Sequence, residues 1–337
     1  MKKHLILFSV IIFFWGFAFG QTPQIALVKP NGSTTIFNTF DAAYIASVDD
    51  DYIYLPGGTF EVTNQIFKKI HIIGAGSNVD SSSVTGITRL NSLQIGLGSE
   101  GGTVEGVYFT SQAPGNCNNG SIDFIDTFSN YQVSNCFLNS GISFSQPSTN
   151  IVLRNNVINS SGCGSIWSSI KGNISNSLIS NNIILSTLGI AGEANIEFNN
   201  NLFFFNIAFY YLSLPNSCVY NNNIFQQATS SSNNSIFNNN ANASITGSNN
   251  IINNNVWETF TEIFEDPINE PFDYHILSSS ACKNSGTDGT DRGIYGGVFP
   301  WIDGSIPSNP HIYFKQVAGQ TNSSGQLQIH FKVRTGN

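Results

Sequence analysis

Short apolar runs that stop at asparagine recur along the middle of this chain. Between residues 133 and 252 the copies read Val133-Ser-Asn135-Cys-Phe137, Ile151-Val-Leu-Arg-Asn155-Asn156-Val157-Ile158, Leu178-Ile-Ser-Asn181-Asn182-Ile183-Ile184, Ile196-Glu-Phe-Asn-Asn200-Asn201-Leu202-Phe203, Val219-Tyr-Asn-Asn222-Asn223-Ile224-Phe225 and Ile245-Thr-Gly-Ser-Asn249-Asn250-Ile251-Ile252. Asn156, Asn182, Asn201, Asn223 and Asn250 stand 26, 19, 22 and 27 residues apart, a loose period in the range of a solenoid coil. Strands this short, flanked by Asn or Gly instead of helices, bury their apolar side only by stacking on like neighbours about 4.8 Å away. Asn suits the corners because it tolerates left-handed backbone. Its amide can also bond to the Asn of the coils above and below, forming a ladder.

Upstream, Phe40, Ala43, Tyr44 and Val48 fall on one helical face behind Thr39. The spacing predicts a short, capped amphipathic helix that covers the open N-terminal end of the stack. Residues 21–33, polar and broken by proline, predict an extended, partly ordered start. Strands are predicted at 52–55, 59–62 and 70–73, with a further coil at 103–109. Residues 230–242 read as a polar loop insertion, because the repeat resumes at Ile245. One coil per roughly 23 residues over 52–257 gives about nine coils in a stack about 40 Å long. Past Trp257, Glu258, Glu262, Glu265, Asp266, Glu270 and Asp273 arrive together with Pro267 and Pro271, a composition that solubilises the C-terminal end and deters end-to-end stacking. Residues 327–333 alternate and predict an edge strand, lying along the stack or pairing with 312–314.

At Tyr-Leu-Pro-Gly-Gly-Thr-Phe (54–60) and Ile-His-Ile-Ile-Gly-Ala-Gly (70–76) the chain resembles secreted right-handed parallel β-helix proteins with the pectate-lyase-like fold, many of them from Bacteroidetes. The stretches 264–267, 272–276 and 286–297 look like the closing coil and cap of such proteins. The resemblance implies an all-β chain: a right-handed parallel β-helix with a short N-terminal capping helix and a C-terminal cap. Residues 1–20 are then a signal peptide, 21–51 the N-terminal segment and capping helix, 52–257 the β-helix, and 258–337 the closing coil, cap and terminal strand. It implies architecture more than activity, because this fold hosts lyases, hydrolases, adhesins and proteins of no known activity.

Composition narrows the setting. Lys2 and Lys3, the apolar run from Leu5 to Phe19 and the small residues Ala18 and Gly20 before Gln21 have the pattern of a secretory signal, so a secreted or cell-surface location is expected. No later stretch supplies a membrane span. Without Lys2 and Lys3 the formal charge moves from −8 to −10, and with no basic patch to neutralise phosphates, nucleic acid is excluded as a partner. A monomer is expected. Of the 5 cysteines, Cys117 and Cys163 sit in Gly/Asn/Ser-rich loops and are the candidate disulfide, whereas Cys136 replaces an Asn of the repeat and is expected inside and inert.

Candidate chemistry is sparse. Sugar hydrolysis needs clustered carboxylates, and β-elimination of uronates needs a Lys or Arg base with the uronate neutralised. Between Thr127 and Trp257 the ionisable residues of those types are Arg154, Lys171, Glu193 and Glu197. Arg154, Lys171 and Glu197, joined by Asp123 and Asp126, are the candidates for a lyase site. Asp288 and Asp291 in an Asp/Gly turn are weak calcium candidates, and calcium is the sole cofactor considered. The aromatic run at 202–212 puts Phe204, Tyr210 and Tyr211, with Trp167 and Tyr220, forward as a platform on which sugar rings would stack. The sequence therefore points first to a non-catalytic β-helix that binds polysaccharide or another extracellular partner. A uronate lyase comes second. Third is a structural or adhesive protein with contact loops at 112–121 and 230–242.

Overall fold

Each coil contributes one short strand to a long row that is parallel throughout the solenoid. In the computed structural model, which describes residues 24–78, 84–111, 120–160, 168–191, 194–204, 212–226, 229–267, 273–307 and 310–334, this row runs Asp51–Leu55, Ile70–Gly74, Thr103–Glu105, Phe128–Ser134, Ile142–Arg154, Leu178–Ser180, Glu197–Asn199, Val219–Asn221, Ile236–Asn238 and Ile251–Asn253. A second parallel row of eight strands runs from Gly58–Phe60 to Ile224–Phe225. A third flank carries Leu93–Ile95, Ile122–Phe124, the start of Ile142–Arg154, Ser168–Ser175 and Thr187–Ile190. It is followed by a separate set of Leu212–Ser213, Thr229–Ser231 and Ser244–Thr246. The protein is an all-β parallel β-helix, as the Asn repeat predicts.

Register explains why the stack holds. Ile53, Ile72, Val104, Val133, Leu153, Ile179, Phe198, Tyr220 and Phe237 are level neighbours on successive strands of the long row, and all are fully buried. The column is aliphatic at first and aromatic later. Phe198, Tyr220 and Phe237 stack face to face with centroids 4.8 and 4.5 Å apart and planes within 5°, each pair adding about 0.5–1.5 kcal/mol beyond its burial.

The two asparagines of each pair divide the corner between them. The first, Asn135, Asn155, Asn181, Asn200, Asn222, Asn239 or Asn254, holds the left-handed conformation with φ between 51° and 57°, which Asn accepts at less cost than most side chains. The second points inward. Asn156, Asn182, Asn201, Asn223, Asn240 and Asn255 form a ladder in which each Nδ2 donates to the next Oδ1, at 3.0 to 3.5 Å. The backbone N–H of each donates to the same Oδ1, and the remaining Nδ2 hydrogen goes to a main-chain carbonyl one coil back, as from Asn182 to Leu153 at 2.8 Å. Cys136 takes the first place in this file, buried, its backbone N–H donating to Asn156 Oδ1 at 3.0 Å.

Several expectations need correction. Residues 230–242 hold a coil, not a loop: Thr229–Ser231 and Ile236–Asn238 pair into their rows, and Asn239-Asn240 is its Asn pair. The last copy of the repeat is therefore Ile251-Ile-Asn-Asn254-Asn255, one register on from Asn249-Asn250. Gln24 onward is more ordered than its composition suggests, because Ile25–Val28 pairs antiparallel with both Thr34–Phe37 and Asp51–Leu55. The capping helix is present at Phe40–Ala46 with Thr39 Oγ1 accepting from Ala42 N–H at 3.2 Å, but Val48 lies past its end and is exposed. The alternating C-terminal segment forms Ile329–Arg334, paired antiparallel with His311–Val317.

The region expected as closing coil and cap does something else. After the helix Phe260–Ile263 and the antiparallel pair Phe264–Asp266 and Asp273–Ile276, the chain doubles back along the outside of the stack. The first asparagine of successive pairs grips it: Asn239 donates to Ser285 O, Asn222 to Thr287 Oγ1, Asn200 to Asp291 O, Asn181 to Ile294 O and Gly296 O, and Asn155 to Pro300 O, at 2.8 to 3.2 Å. Pro307 ends the run against Gly106. This strap and the helix before it cover Ile183, Leu202, Ile224 and Ala241, the outward apolar residues of the second row, in a core of their own.

Candidate functional site

Residues on either side of the buried column point outward from the long row. On its first strands these are Tyr52, Tyr54, His71, Thr103 and Glu105, all half-exposed, and Ile73, which is buried between Tyr54 and Glu105. The Tyr52 ring lies 4.6 Å from that of His71 at an interplanar angle of 26°, and 6.2 Å from that of Tyr54. His71 Nδ1 shares a hydrogen bond with Thr103 Oγ1 at 3.0 Å, and the Lys69–Asp50 ion pair at 2.6 Å closes one margin. Burial holds the His71 imidazole below its ordinary pKa, with Asp50 acting against it, so the ring is neutral at neutral pH. Burial, then Tyr52 and Glu105, raise the Tyr54 phenol. The result is a neutral aromatic surface edged by hydrogen-bonding groups. Such a surface suits a sugar ring, which offers an apolar face and a polar rim.

The third flank holds the other notable arrangement. Gln94, Asp123, Ser143 and Lys171 are level neighbours on adjacent strands. Asp123 is 2% exposed and accepts from Ser143 Oγ at 2.8 Å and Ser145 Oγ at 3.0 Å. Burial lowers the Lys171 amine, and Asp123 opposes that shift. A desolvated lysine near a buried carboxylate has the makings of a proton acceptor.

The residues singled out in the sequence do not converge. Arg154 and Glu197 share the outer side of the long row two strands apart, but the Arg154 guanidinium lies 4.8 Å from the Phe299 ring of the strap. Lys171 and Asp123 occupy the third flank, and Asp126 accepts from Leu97 N–H at 3.0 Å in the turn after it. The sugar platform expected in the aromatic run is overturned for the residues that can be placed. Tyr220 is fully buried between Phe198 and Phe237, its hydroxyl donating to Pro215 O at 3.0 Å. Phe204 packs between the wall and Phe260 and Tyr274. Trp167, Tyr210, Tyr211, Glu193, Cys117 and Cys163 lie outside the described residues, as does the segment 1–20.

Asp288 and Asp291 are tied into the strap. Asp288 Oδ1 accepts from Thr290 N–H and Oγ1, and Asp291 accepts from Lys283 Nζ at 2.7 Å and Asn284 N–H at 2.9 Å. Among the described residues no three His, Cys, Asp or Glu side chains gather as a metal site. Cys136, Cys218 and Cys282 are free and buried, with burial pushing the Cys136 thiol up to about 12 and the other two up to about 11. No helix among the described residues is long and apolar enough to cross a membrane.

Sequence reasoning passed over the Tyr52–His71 surface. Its signal was the alternation in Tyr-Ile-Tyr at 52–54, which places both phenols on one face of a strand whose other face is Ile53 and Leu55. Comparison of the chain with protein-family models, curated proteins and solved structures found no match.

Proposed function

We propose that this chain is a secreted or cell-surface β-helix protein that binds an extracellular polysaccharide on the outer face of its long sheet without cleaving it. The half-exposed Tyr52–Tyr54–His71 surface, edged by Thr103 and Glu105, carries this reading. The signal-like residues 1–20 and the resemblance of 54–60 and 70–76 to pectate-lyase-like β-helix proteins, of the kind common in Bacteroidetes, support the extracellular setting. Arg154 and Glu197 do not meet Lys171, which weighs against a shared acid–base centre. A second reading, a uronate lyase with Lys171 as base, rests on the lowered pKa of that amine beside Asp123.

Affinity electrophoresis in gels carrying neutral and uronate polysaccharides tests the first reading. Retardation is expected with at least one of them. Tyr52→Ala and Tyr54→Ala should each weaken it roughly three- to ten-fold, the equivalent of one ring-stacking contact, while melting is unchanged. Retardation should also weaken as pH falls and His71 takes up a proton. No retardation, or retardation indifferent to both tyrosines, overturns the proposal. Unsaturated product detected by ultraviolet absorbance and lost in Lys171→Ala would install the lyase reading instead.

A further inference from the structure

The two ends of the solenoid are finished differently. At the first coil the helix Phe40–Ala46 and the antiparallel strands Ile25–Val28 and Thr34–Phe37 lie over the stack. At the last coil, among the described residues, nothing does. Ile252 is the next member of the column formed by Phe198, Tyr220 and Phe237, yet it is 48% exposed, with Ile251 at 54% and Trp257 at 57%. Among the described residues Ile251–Asn253 pairs only with Ile236–Asn238, so the long row ends there in an open backbone edge. Asn255 Nδ2, the last amide of the inner ladder, is buried with no acceptor.

The same chain carries a second unsatisfied element. His311–Val317 and Ile329–Arg334 form a two-stranded sheet, which is marginal in water without something to pack on. Ile329, Phe331 and Val333 share one face with Val317, Ile312 and a single cation, Lys315 opposite Phe331, and all but the half-buried Ile312 are exposed. The opposite face is cationic: Lys332 lies over the Phe314 ring at 5.3 Å, and the Arg334 guanidinium lies 5.2 Å from the Tyr313 ring. Residues 304–337 contain Lys315, Lys332 and Arg334 and no acid. The stretch that leaves the last bridge at Val256 contains Glu258, Glu262, Glu265, Asp266, Glu270 and Asp273 and no Lys or Arg. An apolar, cationic hairpin and a bare, apolar coil bordered by acids are complementary in both respects.

A hairpin cannot seat its base on the coil end of its own molecule. The strap delivers the chain to Gly106, seven strands of the long row away from Ile251–Asn253, a distance of about 34 Å. The four residues from Pro307 to His311 span at most about 14 Å. We infer that the hairpin at 311–334 of one copy covers the exposed last coil of a second copy, adding a strand to the open edge of Ile251–Asn253 and its cations to the acids Glu258, Glu262, Glu265 and Asp266. The two patches are different surfaces of one molecule, so the contact is heterologous and propagates head to tail. Acidic ends that repel one another do not oppose it, because each meets a basic hairpin. The expected monomer then holds only at low concentration.

Sedimentation velocity of the purified chain over a concentration series, at low and high salt, tests this. Expected is a weight-average mass that climbs with concentration and falls back with salt. Phe331→Asp on the hairpin and Trp257→Asp on the coil end should each abolish the climb. An equimolar mixture of the two variants should regain dimer and stop there, since only one intact hairpin and one intact coil end remain to meet. Lys332→Glu with Arg334→Glu, at exposed positions that leave the solenoid untouched, should weaken association in the same direction, and melting of each variant reports on folding. A wild-type chain monomeric at every concentration overturns the inference. So does association lost in Phe331→Asp but untouched by Trp257→Asp, which marks a hairpin-to-hairpin dimer.

Discussion

Asn181 and Asn182 are adjacent and identical, and they do opposite work. Asn181 turns the backbone and reaches outward to two carbonyls of the strap, whereas Asn182 reaches inward and bonds to the coils on both sides. The difference shows that residue type alone does not decide the role. The first position is selected for tolerance of positive φ, the second for an amide able to donate and accept along the stack axis. From Glu197–Asn199 onward a third Asn precedes the pair, and Asn199, Asn221, Asn238 and Asn253 make another ladder on the outer face, with Nδ2 to Oδ1 distances of 2.9 to 3.0 Å. There the same bond is made in contact with water.

Substitutions at these three positions test the division. Asn182→Leu removes the acceptor of Asn156 N–H and Nδ2 and the donor to Leu153 O, all buried, and should cost about 3–5 kcal/mol in urea unfolding. A loss under about 1 kcal/mol would mean that neighbouring coils close over the gap and the ladder is dispensable. Asn181→Ala should cost about 2–3 kcal/mol, combining left-handed strain with the lost strap bonds. Asn181→Gly, which restores the backbone freedom, should recover roughly half of that. If Gly and Ala were equally harmful, the strap bonds and not the turn would be what Asn181 supplies. Asn221→Ser on the outer ladder should stay within about 0.5 kcal/mol of wild type, because water replaces what the side chain gives up. An outer substitution as damaging as the inner one would erase the distinction.

The fold was legible because its main device is a polar residue recurring at apolar intervals, and because Thr39 and the Phe40 face announce the helix. The coil at 229–241 escaped because Asn239-Asn240 is followed by Ala241-Asn242 in place of two large apolar residues, so the pattern lapses where the geometry does not. The stretch 286–297 stands out by resemblance, but its course along the stack as a strap left no signature. What Asn155, Asn181, Asn200 and Asn239 grasp are main-chain carbonyls of Ser285, Asp291, Ile294, Gly296 and Pro300, which any sequence would provide. Tyr220 was misplaced for a simpler reason. Val219, Tyr220 and Asn221 form a three-residue strand whose middle member faces in, and so short a strand does not disclose its own parity. The Tyr52–His71 surface was passed over because Tyr52, Ile53, Tyr54 and Leu55 are all bulky, so the alternation of phenol and aliphatic between two faces carries little contrast.

The strap also decides where the molecule bears load. Tension applied through the hairpin at 311–334 reaches the solenoid first where Pro307 meets Gly106, and only afterwards the coil at Ile251–Asn253. It then meets the grips one at a time, Pro300 before Gly296 and Ile294, then Asp291, Thr287 and Ser285. Loaded in this order, the grips would be released one after another, together with the apolar contacts of Ile294 and Cys282 beneath them, before the Asn ladder is pulled on. Freed as far as Ser285 it pays out roughly 75 Å of extended chain, a built-in length of slack between the hairpin and a β-helix that remains folded.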